Sequence, residues 1–322
     1  MILSVSRRTD IPAFFADWFY ERIKEGYVCV RNPMNPHQVS KIPVTRELTD
    51  CIVFWTKNPE PMLKRLDELK GYDYYFQYTM NGYGNDVEPH IPPLEKRMET
   101  FRMLSERIGK EKVIWRYDPI LFSNTYTWEG HLKEIEYIAQ NIGEYTEKCV
   151  FSFVDIYQSK NLKNIRHLGN RNLSESEMEQ FLTELVKIAG KYNLKLATCA
   201  EAVDLERFGI GHNSCIDGNL ISRITGWELK TKPDGQREHC QCVKCEEIGT
   251  YDTCPHGCVY CYANFRPEHV REKLKKYDVH SPILCDSIDP ENDKVTERPV
   301  KSLKLRRIEP NSDDGSEQLA LF

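Results

Sequence analysis

Short β-rich runs alternate with amphipathic helical patterns along the first 230 residues, and no other feature limits the fold as strongly. The extended runs are 2–6 (ILSVS), 27–31 (YVCVR), 51–55 (CIVFW), 73–79 (DYYFQYT), 112–117 (KVIWRY), 149–154 (CVFSFV) and 194–199 (LKLATC), with a further one at 219–224 (NLISRI). Between them lie FFADWFYERIKEG at 14–26, EPMLKRLDELKG at 60–71 and PPLEKRMETFRMLSERIG at 92–109, each stopped by a glycine. WEGHLKEIEYIAQNIG and SESEMEQFLTELVKIAGKYN complete the set. Alternation of this kind predicts a parallel sheet covered by helices. Seven or eight such units in roughly 230 residues predict an α/β fold of TIM type, a (β/α) barrel, complete or incomplete, since such barrels run to about 250 residues. The expected organisation is a barrel over 1–230, a cysteine-rich segment over 231–270 packed on the barrel mouth, an extension over 271–310 and a disordered tail over 311–322.

Each predicted strand ends in polar side chains: Arg7-Arg8-Thr9-Asp10, Arg31-Asn32, Thr56-Lys57-Asn58, Gln77-Thr79-Asn81, Arg116-Asp118, Ser152-Asp155 and Cys199-Glu201. The carboxyl ends of barrel strands converge on one mouth, where active sites are built. Arg7 and Arg8, with Asp10, are placed there as a weak substrate-binding group, because adjacent arginines suit a phosphate or carboxylate.

Twelve cysteines need an explanation. No apolar run is long enough to span a bilayer, and the start MILSVSRRTD lacks the order of a signal peptide, so a cytoplasmic location without membrane contact is expected. A reducing compartment disfavours a disulfide framework. Cys29, Cys51 and Cys149 sit singly in apolar runs and read as core, while Cys285 is left unassigned. Six others crowd into residues 240–261. Zinc sites commonly use two C-x2-C pairs, whereas these cysteines read C-x-C-x2-C and C-x3-C-x2-C. Cys254, Cys258 and Cys261 form one tight loop, with Gly257 for the turn and Tyr260 before the third thiol. Three thiolates from such a loop can hold three irons of a [4Fe–4S] cluster and leave the fourth open. Of the remaining thiols, Cys199, Cys215, Cys240 and Cys242, with Cys245 as the alternate, are expected to form a second site, an auxiliary Fe–S cluster in preference to zinc.

The C-x3-C-x2-C spacing resembles that of the radical S-adenosylmethionine (SAM) superfamily, in which SAM chelates the open iron. From SRRTDIPAFFADWF and RNPMNPHQVSKIP to CPHGCVYCYAN, the chain resembles a radical-SAM-like family known only as a domain of unknown function, DUF1848. WTKNP at 55–59 and WRYDPI at 115–120 are similar to motifs of the spore photoproduct lyase branch. The resemblance implies a radical SAM-type enzyme with Asn58, Thr79, Asn81 and Arg116 gripping SAM, and an electron donor such as flavodoxin or ferredoxin. Its usual members carry the cluster loop after the first strand, whereas here it follows the last. First and last strands of a closed barrel are neighbours, so either loop reaches the same mouth. Two other classes stay open: a zinc- or Fe–S-binding module without catalysis, and a metal-dependent TIM-barrel hydrolase or endonuclease.

The final residues, Gln318-Leu319-Ala320-Leu321-Phe322, resemble the peptide by which bacterial repair proteins dock on the sliding clamp. That motif implies DNA as substrate or neighbourhood. A net charge of −5 argues against non-specific coating of nucleic acid, although Lys301, Lys304, Arg306 and Arg307 could touch phosphate just upstream.

Overall fold

The computed structural model describes residues 1–154, 165, 168–199, 205–234 and 240–309. Asp155, Glu201 and the 311–322 tail with its QLALF motif lie outside the described residues. The centre is an eight-stranded sheet in which every pairing is parallel. Its strands are β1 (Ile2–Val5), β4 (Cys51–Thr56), β5 (Tyr74–Thr79), β6 (Val113–Ile120), β7 (Lys148–Phe153), β8 (Lys195–Thr198), β9 (Gly211–His212) and β11 (Glu246–Ile248). The spatial order is β11-β1-β4-β5-β6-β7-β8-β9, so the late strand β11 returns to lie beside β1. β9 and β11 are the two ends, and among the described residues no ladder joins them. The protein is therefore a mixed α/β fold built on a large parallel sheet.

The helices α2 (Ala16–Glu25), α4 (Leu94–Ile108), α5 (Trp128–Ile142) and α6 (Glu175–Lys191) all bury their apolar stripes on one face. Strand side chains alternate between faces, and Ile52, Phe54, Phe76, Tyr78, Trp115, Tyr117 and Phe151 meet those helices. Ile2, Cys51, Val53, Tyr75, Ile114 and Val150 point the other way and pack with Cys199, Cys215, Cys242 and the short helix α7 (Gly218–Thr225). Local signals set the helix ends. Gly26 ends α2 at φ +78°, and Ser174 with Glu177 forms a reciprocal capping box on α6.

Three expectations about elements are corrected. NLISRI is helix, not strand: Asp217 accepts from the Asn219 and Leu220 amides, and Gly226 closes α7 in the left-handed region. YVCVR is a strand, β2 (Tyr27–Asn32), but lies outside the main sheet. It folds back on β3 (Asn35–Pro43), which pairs in turn with β12 (Lys294–Glu297). The 60–71 helix is only α3 (Glu60–Leu63) followed by a 3-10 turn, because Arg65 leaves helical geometry. Residues 271–300 are anchored back on α2 and β2. Trp18 Nε1 donates to the Ser281 carbonyl (2.7 Å), the Cys29 amide donates to Pro282 (2.8 Å), and Cys285 is buried. The short strands β10 (Trp227–Leu229) and β13 (Lys304–Arg307) pair antiparallel.

His131 on α5 gives the core a pH dependence. It is 3 % exposed, with Tyr117 Oη at 2.8 Å from Nδ1 and the Leu121 carbonyl at 3.0 Å from Nε2. Burial lowers its pKa to about 4 from 6.5. The unfolded chain then binds more protons between these values, so stability falls as pH drops from about 6.5 to about 4, by up to roughly 3 kcal/mol. Denaturant unfolding across this window should show that slope in the wild type, and a flatter one in His131→Gln. Equal slopes would remove His131 as the cause.

Candidate functional site

The cysteine loop is sewn into the carboxyl ends of the sheet strands. The Val259 amide donates to the Val87 carbonyl (3.0 Å) and the His90 amide to the His256 carbonyl (3.3 Å), joining the loop to the segment after β5. Gly257 has φ +70°, which suits glycine, and a Cβ there would press on Pro89 Cγ at 3.2 Å. After β1, Asp10 caps the short helix α1 (Ile11–Phe14) by accepting from the Ala13 amide. Its other carboxylate oxygen meets His256 Nε2 (2.8 Å) and the Lys57 amide (2.7 Å). One carboxylate thus ties the ends of β1 and β4 to the loop.

Burial pushes the three loop thiols above the usual range, Cys258 to about 12. Donors nevertheless face the sulfurs. The Ala263 amide donates to Cys261 (3.4 Å), the backbone at His256 and Asp10 favours the charged form of Cys254, and Tyr260, whose hydroxyl proton goes to Glu88, lies beside Cys258. Desolvation opposes thiolate and the donors favour it, so the loop is prepared for sulfur made anionic by a bound cation.

Beside the loop lies a buried charge group. Lys57 Nζ meets Glu88 Oε1 at 2.7 Å, Asn81 Nδ2 donates to the same oxygen at 3.1 Å, and Tyr260 Oη donates to it as well. Burial pushes the Glu88 carboxyl up, but the Lys57 and Arg97 cations outweigh it and hold the pKa below the usual range. Glu88 Oε2 and Arg97 Nη1 are buried without a hydrogen-bond partner among the described residues. Both residues line a cavity of about 120 Å³ with Gly82, Tyr83, Asn85 and residues 91–94. That is far more than one water needs.

The second thiol set lies on the sheet face away from the large helices. Cys199 follows β8, Cys215 precedes α7, and their sulfurs are 3.1 Å apart. Cys215 also contacts Cys242, and Cys242 contacts Cys240. Arg116 on β6 donates from Nη1 to Cys215 Sγ (3.0 Å), pairs with Asp118 and lies 5.5 Å from the Trp55 ring. Cys245 stands apart, its sulfur accepting from Arg7 Nη2 at 3.3 Å. Among the described residues no three His, Cys, Asp or Glu side chains converge on a single-ion position.

The residues expected to grip SAM therefore separate. Asn81 is fully buried beside Tyr260 and the cysteine loop. Thr79 is half-buried at the end of β5. Asn58 accepts from the Glu60 amide (3.4 Å), forming the turn into α3. Arg116, expected to fork the SAM carboxylate, here holds Asp118 and Cys215 on its guanidinium. Arg7 is held by Glu247 (2.9 Å) and Cys245, while Arg8 donates to the Gly249 carbonyl (3.3 Å) and lies 5.0 Å from the Tyr251 ring. They pack against the chain that leaves β11. Glu88 and Arg97 had no signal in the sequence, since neither sits in a strand-end motif.

Fold and site together define an α/β protein with a cysteine loop held at the carboxyl ends of a parallel sheet. The chain belongs to the family described as a domain of unknown function, DUF1848, whose model matches residues 2–263. No curated protein matches it. Among solved structures, a candidate alpha-L-fucosidase from Bacteroides thetaiotaomicron is 15% identical, with 49% of this chain and 67% of that one covered at TM-score 0.25. A protein described as an endoglucanase is 10% identical, covering 66% and 87% at TM-score 0.26. Likenesses this weak carry no argument about either protein's chemistry. Among the described residues no helix is long and apolar enough to cross a membrane.

Proposed function

We propose that the protein is a radical SAM-type enzyme whose [4Fe–4S] cluster is held by Cys254, Cys258 and Cys261. One observation carries this reading. The late cysteine loop reaches the carboxyl ends of β1, β4 and β5 through Asp10, Lys57 and the 81–90 segment. The chemistry that the cluster and SAM supply when bound is reductive cleavage to methionine and a 5′-deoxyadenosyl radical that takes hydrogen from a substrate. The chain's part is to hold and tune. The Ala263 amide donates to the Cys261 sulfur, and Lys57, close enough to lower the Cys258 pKa, offsets thiolate charge. Arg97 Nη1 and Glu88 Oε2 are the donor and acceptor left open in the adjoining cavity. They suit the carboxylate and ammonium of the methionine part of SAM, replacing Arg116 in that role.

The sheet belongs to this proposal as a (β/α) barrel. Its strands follow chain order without the reversal of doubly wound sheets, β11 returns beside β1, and the large helices lie on one face. Reduction would come from a donor such as flavodoxin or ferredoxin. DNA or nucleotides are the proposed substrate class, reached through Gln318–Phe322 on the sliding clamp. A peptide of residues 311–322 should bind purified clamp at micromolar strength, and loss of Leu321 and Phe322 should abolish binding. If neither peptide nor intact protein binds, the DNA assignment falls and the radical reading stands without it.

The direct test is anaerobic reconstitution with iron and sulfide, followed by dithionite and SAM. 5′-Deoxyadenosine should appear. A cluster-loaded protein that leaves SAM intact overturns the proposal.

A further inference from the structure

We infer that Cys199, Cys215, Cys240 and Cys242 are thiolate ligands of a second iron–sulfur cluster, seated against Arg116. This inference does not rest on the radical reading. The four sulfurs form a continuous series of contacts, Cys199–Cys215–Cys242–Cys240. Three of these residues are no more than 9 % exposed. Plain packing would ask only for apolar neighbours, yet polar donors are aimed at the sulfurs. Arg116 Nη1 lies 3.0 Å and Asn213 Nδ2 3.5 Å from Cys215 Sγ, and the Ile216 amide lies 3.3 Å from Cys242 Sγ. A neutral thiol is a weak acceptor, and buried donors are normally matched to good ones. Asp118 answers one side of the Arg116 guanidinium, and the Nη1 turned to Cys215 gains a good acceptor when that sulfur carries negative charge.

Position supports the same reading. Tyr75 Oη and Gln77 Nε2 fix the Cys215 carbonyl at 2.7 and 2.8 Å. Cys199 and Cys215 flank β9, whereas Cys240 and Cys242 lie in the chain leading into β11. A cluster there ties together the two segments next to the sheet's unpaired ends. Zinc would need its four donors around one centre at about 2.3 Å from each sulfur, and among the described residues no three ligating side chains converge on such a point. A polynuclear core takes its thiolates at separate corners, so Cys199 and Cys215, whose sulfurs touch at 3.1 Å, part as the cluster enters. Cys245 is excluded because its sulfur faces Arg7.

The test uses the full chain with alanine at Cys254, Cys258 and Cys261, reconstituted anaerobically and assayed for iron, sulfide, zinc and the visible absorbance of bound cluster. About one cluster per chain should remain. Adding Cys199→Ala and Cys215→Ala should lower the iron by about tenfold or more, with circular dichroism unchanged. Should that variant fail to fold, Arg116→Gln in the triple background supplies the readout: it keeps the iron, and the cluster's reduction potential falls because a cation has been removed. A folded but iron-free triple variant, stoichiometric zinc without iron, iron indifferent to Cys199 and Cys215, or a potential indifferent to Arg116 each overturns the assignment. Iron retained by the triple variant, with no 5′-deoxyadenosine from the wild type, would sink the radical reading and leave this one standing.

Discussion

Protein carrying alanine at Cys254, Cys258 and Cys261 is expected to release no 5′-deoxyadenosine above background under conditions in which the wild type does. The effect should be all-or-none, because the proposed cluster has no other protein ligands. The variant should stay folded. The loop's attachment runs through backbone bonds, Val259 to Val87 and His90 to His256, and through the Asp10 carboxylate, none of which uses a thiol. The thiols are pushed up by burial, so the metal-free wild type already holds them as neutral groups that alanine replaces at small cost. Thermal unfolding of the metal-free variant should therefore track that of the metal-free wild type. Unchanged turnover in the triple variant would end the assignment, whereas lost turnover with lost structure would be traced by the unfolding curve.

The parallel sheet was legible where strands are buried and apolar. CIVFW and KVIWRY announce themselves because both faces are covered. β11 was not legible, since its sequence is Glu246-Glu247-Ile248 and two acids do not read as strand. Both carboxylates are accounted for only in three dimensions. Glu246 pairs with Arg298, and Glu247 accepts from Ser4, Ser6 and Arg7. NLISRI failed for the converse reason: its isoleucines suggested strand, and the Asp217 cap decided otherwise. In the site, spacing alone marked the 254–261 thiols. It also singled out Cys199, Cys215, Cys240 and Cys242, because cysteines left over from a motif are few, and the fold brings these four near one another. Glu88 and Arg97 were invisible because an acid in a loop and an arginine on a helix are commonplace until burial makes them costly. WRYDPI marked the right strand end, but a motif cannot say that Asp118, two residues away, claims the guanidinium of Arg116.

Lys57→Met should destabilise the protein by about 3 kcal/mol at neutral pH, the usual scale for removing one partner of a buried ion pair. The loss arises at Glu88, which is 2 % exposed and would keep only Arg97 as a nearby cation. The sign of the pH dependence follows. In the wild type the Glu88 pKa is depressed, so its contribution is present above the unfolded value of about 4.3 and is lost as pH falls through the lower folded value. Without Lys57, burial, which already opposes ionisation, becomes the dominant influence on Glu88. The folded pKa then rises, and stability is regained as pH falls and Glu88 takes a proton. The gap between wild type and Lys57→Met should therefore narrow between neutral pH and about pH 4 as the variant's Glu88 takes its proton, and narrow further below about 4.3 as the wild type loses its own contribution. Adding Glu88→Gln should recover part of the loss, giving clear non-additivity in a double-mutant cycle read by denaturant unfolding. Glutamine keeps an acceptor for Tyr260 and Asn81 while removing the charge that Lys57 answers. Additive losses, or a gap that widens in acid, would show that Lys57 works through something other than Glu88. The ammonium's proximity to Cys258 would then be its remaining role.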